Sequence, residues 1–192
     1  MADKTRIVLI ATAWGPLLGG INAFNQKLAL AMAEVGSDAV EILCAVAASK
    51  SDRRFNDHVR SAAEGGVTLL PYSYEGEDPR TGDVSAIEII EAVKALGRGE
   101  EINWWIGHDV VTGFTAQDVS ERYGGKVGLI HHMAHARYAN LTGDQGDKLL
   151  NKVEAQERLF NGRAEALFAV GPLLKESLEE ITSRDDVTEI IP

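Results

Sequence analysis

Apolar residues fall along the chain in short blocks, separated by stretches in which they recur at helical spacing. RIVLIA (6–11) is a β-rich apolar run; behind a Gly-rich loop, Ile21, Phe24, Leu28, Ala31 and Val35 recur at helical spacing until Gly36 ends them. AVEILCAVAA (39–48) reads as a second strand, the charge-mixed stretch 51–64 as a helix closed by Gly65 and Gly66, and VTLLP (67–71) as a third strand. Residues 72–83, acidic and containing Gly and Pro, read as a loop before a helix over 83–97. WWIG (104–107) is the fourth strand, a short helix covers 115–123, and KVGLIH (126–131) is the fifth strand. After a loop come a long helix over 147–161, the strand ALFAV (166–170), a helix over 172–181 opened by Pro172, and the strand VTEII (187–191).

Continuously apolar strands that alternate with helices imply a parallel sheet covered on both faces. The expectation is an α/β, Rossmann-like three-layer sandwich with a mainly parallel sheet of about seven strands. With 192 residues and no repeat, low-complexity tract or linker, residues 1–192 read as a single domain.

Charge then narrows the partners. Lys and Arg number 19 against 29 Asp and Glu, a net −10, and such a surface repels phosphate backbones and anionic lipid, which argues against nucleic acid. The single cysteine, Cys44, lies inside an apolar run, so it forms no internal disulfide and reads as a small core hydrophobe in a reducing compartment. The N-terminal residues carry no signal-peptide pattern and no window has the roughly 18 apolar residues that span a bilayer, so the expected location is cytoplasmic, without a transmembrane segment.

In an open parallel sheet, ligands bind beyond the carboxyl ends of the strands. The first strand runs into ATAWGPLLGGINAF, where Gly19 and Gly20 lead into a helix and leave backbone N–H groups free for a phosphate or other anion. The same glycines could equally serve only to make the turn. Their spacing fits neither the GxGxxG fingerprint nor a Walker loop, which counts against nicotinamide dinucleotides and ATP.

GHD (107–109) follows the fourth strand and IHHMAHARY (130–138) ends the fifth, so four of the five histidines, all but His58, fall at two strand ends on one sheet edge. His132 and His135 have the spacing of one helical face, and His108 or Asp109 could complete a metal set, but the acid that HExxH sites use as a base is missing. A neutral imidazole there could equally hydrogen-bond a sugar hydroxyl or accept its proton without a metal. No GxSxG elbow is present. Glu154 and Glu157 read first as a solvated helix face, Trp104 and Trp105 as packing residues, and Trp14 as the candidate for stacking on a sugar or ring.

Together these pieces resemble the N-terminal domain of a GT-B glycosyltransferase of the family-4 type, which includes sucrose synthase and sucrose-phosphate synthase. GGINAFNQKLALAMAEVG looks like that family's Gly-Gly loop and helix, WWIGHDVVTG like its strand ending in Gly-His, and VGLIHHMAHARY like its strand ending in histidine, with His132 at the matching place. KVEAQERLFNGRAEALFAVGPLLKESLEE is similar to the helix–strand–helix that follows, and EIIP to the entry into a second domain. The resemblance implies retaining, metal-independent transfer from a nucleotide-sugar donor to a carbohydrate or small-molecule acceptor, with no cofactor. His108 and His132 are then the expected catalytic-cleft residues, with His131 and His135 supporting them. Gly19, Gly20, Trp14, Asp109 and Arg137 are the expected residues for donor phosphates or acceptor.

Two departures bear on the acceptor: Gly171 stands where the family often has Ser or Thr, and Lys152 where Arg is common. The donor-gripping second domain is absent from these residues, so the chain is expected to be inactive alone. The alternatives are a sensor or partner-binding module that kept the fold, and a metal-dependent hydrolase built on the histidines.

Overall fold

The computed structural model describes residues 4–16, 19–36, 39–47, 53–73, 84–97, 101–142 and 146–191. Seven strands, β1 (Thr5–Ala11), β2 (Val40–Ala47), β3 (Val67–Tyr72), β4 (Trp104–His108), β5 (Lys126–His131), β6 (Ala166–Val170) and β7 (Thr188–Ile190), form one sheet in the order β3-β2-β1-β4-β5-β6-β7. Every strand pairing is parallel. The helices are α1 (Gly20–Gly36), α2 (Arg53–Glu64), α3 (Ala86–Ala95), α4 (Asp109–Tyr123), α5 (His135–Thr142), α6 (Asp147–Phe160) and α7 (Pro172–Thr182).

The core divides as strand alternation requires. In β1, Val8 and Ile10 face a cluster completed by Ile89, Val119, Leu159 and Leu178 from α3, α4, α6 and α7. Leu9 and Ala11 face the opposite cluster, which holds Ala29 and Ala33 of α1 and Phe55 and Ala62 of α2. This is the expected three-layer α/β sandwich. Trp105 is fully buried and donates its indole N–H to the Gly124 carbonyl at 2.7 Å, whereas Trp104 is only partly buried, beneath Lys126. Both are packing residues, as their pattern implied.

Three local readings are corrected. The buried face of α1 is Asn22, Asn25, Ala29 and Ala33, one residue out of step with the apolar positions read from the sequence. Phe24 and Leu28 lie at the flank of the core and Val35 is 90% exposed. The helix lies against the sheet through small alanines, and hydrogen-bonded amides replace apolar side chains in its first turns.

Second, α4 begins at Asp109, directly after β4, and not at Thr115. Asp109 has φ 47°, a left-handed conformation that Asp tolerates better than most residues, and it turns the chain from strand to helix in one step. Gly107 permits this: a Cβ there would lie 2.6 Å from Gly113 Cα and 2.8 Å from the Thr112 carbonyl oxygen. Third, the connection after β5 contains α5, which starts only at His135. His132 therefore precedes the helix, and the two histidines do not share a helical face. Of the expected loop at 72–83, residues 74–83 lie outside the described residues, and Tyr72 belongs to β3.

Candidate functional site

The strand order reverses direction between β1 and β4, and in doubly wound sheets that is where ligands bind. A cavity of about 170 Å³ opens there, between Ala11 and Thr12 at the end of β1, Gly20, Ile21 and Asn22 at the start of α1, and His108, Val111 and Thr112 of the β4–α4 turn. Its frame is built from buried hydrogen bonds. Thr112 Oγ1 accepts the His108 backbone N–H and donates to the Ile10 carbonyl, both at 2.8 Å, which fastens the β4–α4 turn to β1. Asn22 Oδ1 accepts the backbone N–H groups of Thr12 and Ala13 at 3.2 and 3.1 Å, which fixes the loop leaving β1.

Gly19 has φ 109°, and neither it nor Gly20 would bring a Cβ within 4 Å of any other group. The backbone at the start of α1 is thus open, and first-turn N–H groups of a helix attract anions.

His108 is fully buried. Its Nε2 lies 2.7 Å from Asn25 Oδ1 and its Nδ1 3.0 Å from His132 Nε2. Burial, aided by the neighbouring His132, depresses its pKa to about 3 despite the opposing pull of Asp109. Burial likewise takes half-buried His132 down to about 4, with Asp109 opposing and His131 assisting. Both rings are therefore neutral at physiological pH. The Phe24 and His132 rings meet in a T-shaped contact, with centroids 4.9 Å apart.

Asp109 is buried and turned away from the cavity. Its Oδ2 accepts the backbone N–H groups of His132 and Met133 at 3.0 and 3.1 Å, and its Oδ1 accepts from Gln156 Nε2 at 2.6 Å. Burial alone would raise its pKa; contacts with His131, His132 and Gln156 outweigh it and hold the carboxyl below its usual range. Those donors take up both of its oxygens, so Asp109 ties the end of β4 to the segment after β5 and to α6. Gln156 also donates to the Met133 carbonyl at 2.7 Å and accepts the His135 N–H at 3.2 Å. It is the buried polar member of α6, while Glu154 and Glu157 are exposed.

Of the expected residues only Gly20 and His108 line the cavity; His132 lies behind His108, and the others lie apart. His131 is fully buried against Phe160, and its Nε2 has no partner among the described residues. Trp14 is 4% exposed within the core cluster on the α1 face, and its buried indole N–H has no partner among the described residues, so no open ring face is offered for stacking. Arg137 pairs with Glu176 and Glu180 of α7, which raise its pKa, and donates to the Leu173 carbonyl. Its charge is spent within the chain. Among the described residues no group of three His, Cys, Asp or Glu side chains is placed to hold a metal ion, so the hydrolase alternative finds no ligand set there. No helix among them is long and apolar enough to cross a membrane.

Sequence reasoning missed Asn22, Asn25, Thr112 and Gln156. The available signal was the Asn22–Asn25 pair, three apart and one turn inside the helix that follows the glycines, where two amides on one face imply shared partners.

Comparison with known proteins bears on the same region. The structure is similar to sucrose-phosphate synthase from Thermosynechococcus elongatus, with a TM-score of 0.64 at 11% identity over 97% of this chain and 48% of that one. It is also similar to TcCGT1 in complex with UDP (TM-score 0.59, 13% identity, 99% and 51% coverage). A third similar structure is Phytolacca americana UGT2 complexed with UDP-2-fluoroglucose and pterostilbene (TM-score 0.58, 12% identity, 100% and 54% coverage). At such identities the likeness shows the fold, that of one half of a GT-B enzyme, and the chain spans about half the length of these structures. No curated protein sequence matches. The family model described as Family 4 Glycosyltransferase in conflict systems matches residues 8–192, and by that match the chain belongs to the family-4 glycosyltransferases of conflict systems.

Proposed function

We propose that this chain is the acceptor-side lobe of a retaining glycosyltransferase that takes its sugar from a nucleoside diphosphate donor and works without a metal ion. The observation that carries the reading is the cavity at the β1/β4 reversal, where the open backbone at Gly20 meets His108. An anionic diphosphate suits the start of α1, and His132, joined to His108 through Nε2, keeps its other ring nitrogen for a sugar hydroxyl. Two of the solved structures, TcCGT1 and UGT2, hold UDP and UDP-2-fluoroglucose, which supports a nucleotide-sugar for this cleft as well.

A neutral His132 supplies directional hydrogen bonding without a competing charge, and Asp109 holds its backbone from behind. Catalysis in this reading rests on positioning the two substrates and excluding water, which requires a second lobe to close over the cavity. The test is a transfer assay with radiolabelled UDP-glucose and simple alcohol acceptors. The chain alone is expected to transfer no label, and transfer by these residues alone would overturn the two-lobe requirement.

A further inference from the structure

A line of hydrogen bonds runs from the core through Cys44, Asn25 and the cavity-lining His108 to half-buried His132. We infer that Asn25 is a positioning residue that decides which nitrogen of His132 carries the proton. Asn25 is fully buried on α1, and its amide is engaged on both sides: Nδ2 donates to Cys44 Sγ at 3.1 Å and Oδ1 faces His108 Nε2 at 2.7 Å. Because Oδ1 only accepts, His108 Nε2 carries the hydrogen. A neutral His108 then has a bare Nδ1, so His132 Nε2, 3.0 Å away, must be the donor. The proton of neutral His132 is thereby assigned to Nε2, and its Nδ1 keeps a free lone pair. That nitrogen has no hydrogen-bond partner among the described residues and is not among the buried unpartnered atoms.

A group that reaches His132 Nδ1 therefore meets an acceptor. On the reading of the cleft given above, it takes a hydrogen bond from a sugar hydroxyl, and a deoxy analogue lacking that hydroxyl loses the contact. The opposite orientation of the Asn25 amide would reverse every donor along the line and turn His132 into a donor, so the polarity is measurable.

The experiment is a long-range proton–nitrogen correlation spectrum of the ¹⁵N-labelled protein at neutral pH, which reports the tautomer of each imidazole directly. His108 and His132 are both expected in the Nε2–H form, by about tenfold or more, since the other tautomer leaves a buried partner unsatisfied. In Asn25→Leu that preference is expected to fall to within a few-fold at both rings. His132 protonated at Nδ1 in the wild type, or unchanged tautomers in Asn25→Leu, would overturn the inference. Should Asn25→Leu fail to fold, the wild-type spectrum alone still decides the polarity. An Nε2–H pair in a protein that binds no sugar nucleotide would uphold the role of Asn25 while removing the reading of the cleft.

Discussion

The carboxylate of Asp109, at the first position of α4, accepts the backbone N–H of His132 at 3.0 Å and so joins the ends of β4 and β5. One buried acid thus holds the segment that carries half-buried His132 against His108.

Replacing that acid separates its charge from its conformation. Asn tolerates the left-handed φ of 47° nearly as well as Asp, so Asp109→Asn removes the charge and one acceptor without adding strain. An amide NH₂ facing the His132, Met133 or Gln156 donors leaves a buried group unpaired, at a cost of about 1–3 kcal/mol. Urea unfolding of the variant should show that loss; an unchanged midpoint would mean that the carboxylate is not needed where it sits.

Two glycines should respond in opposite ways. In Gly107→Ala the new methyl meets backbone at 2.6 and 2.8 Å, and the expected loss is about 1–3 kcal/mol or more. In Gly20→Ala it meets nothing within 4 Å, so stability should stay within about 1 kcal/mol of wild type. Affinity for UDP-glucose should nonetheless fall in Gly20→Ala, because the methyl occupies the approach to the α1 backbone. Thermal melts and titration calorimetry on the pair give both answers.

Acid should destabilise the protein through its histidines. His108 and His132 titrate at about 3 and about 4 when folded, against an ordinary 6.5. Both folded values are depressed, so unfolding takes up protons below pH 6.5. The stability from keeping the rings neutral is full above that value and is lost as pH falls toward 4 and then 3. The slope contributed by each ring is at most about 1.4 kcal/mol per pH unit. Urea midpoints should therefore drop between about pH 7 and about pH 5, and less so in His108→Asn. Equal midpoints at the two pH values would contradict the buried neutral pair.

Cys44 should be silent toward thiol reagents. It is fully buried, and burial pushes its pKa up to about 12 although the Asn25 amide pulls the other way. Ellman's reagent should leave the native protein unlabelled and modify one thiol in denaturant.

How far the sequence led depended on what each residue had to touch. Strand runs such as RIVLIA and KVGLIH are apolar because both sheet faces are covered, so the parallel sheet was legible, and with it the edge on which four histidines collect. The buried face of α1 was not, because Asn22 and Asn25 are polar residues whose burial depends on partners distant in sequence, Thr12 and His108. The start of α4 was hidden for a related reason. Gly107 and Gly113 let β4 and α4 meet closely, and a close approach leaves no mark on periodicity. Trp14 and Arg137 looked available by type, but whether a ring is covered or a guanidinium already paired is decided by α1 and α7.

The central claim is that the β1/β4 cavity is a sugar-nucleotide site. Its most direct test is chemical-shift mapping of the ¹⁵N-labelled protein with UDP-glucose at about 1 mM, a concentration suited to the weak affinity of a single lobe. The account expects perturbations confined to Gly19–Asn22, His108 and His132. Perturbations elsewhere, or none at all, would contradict it.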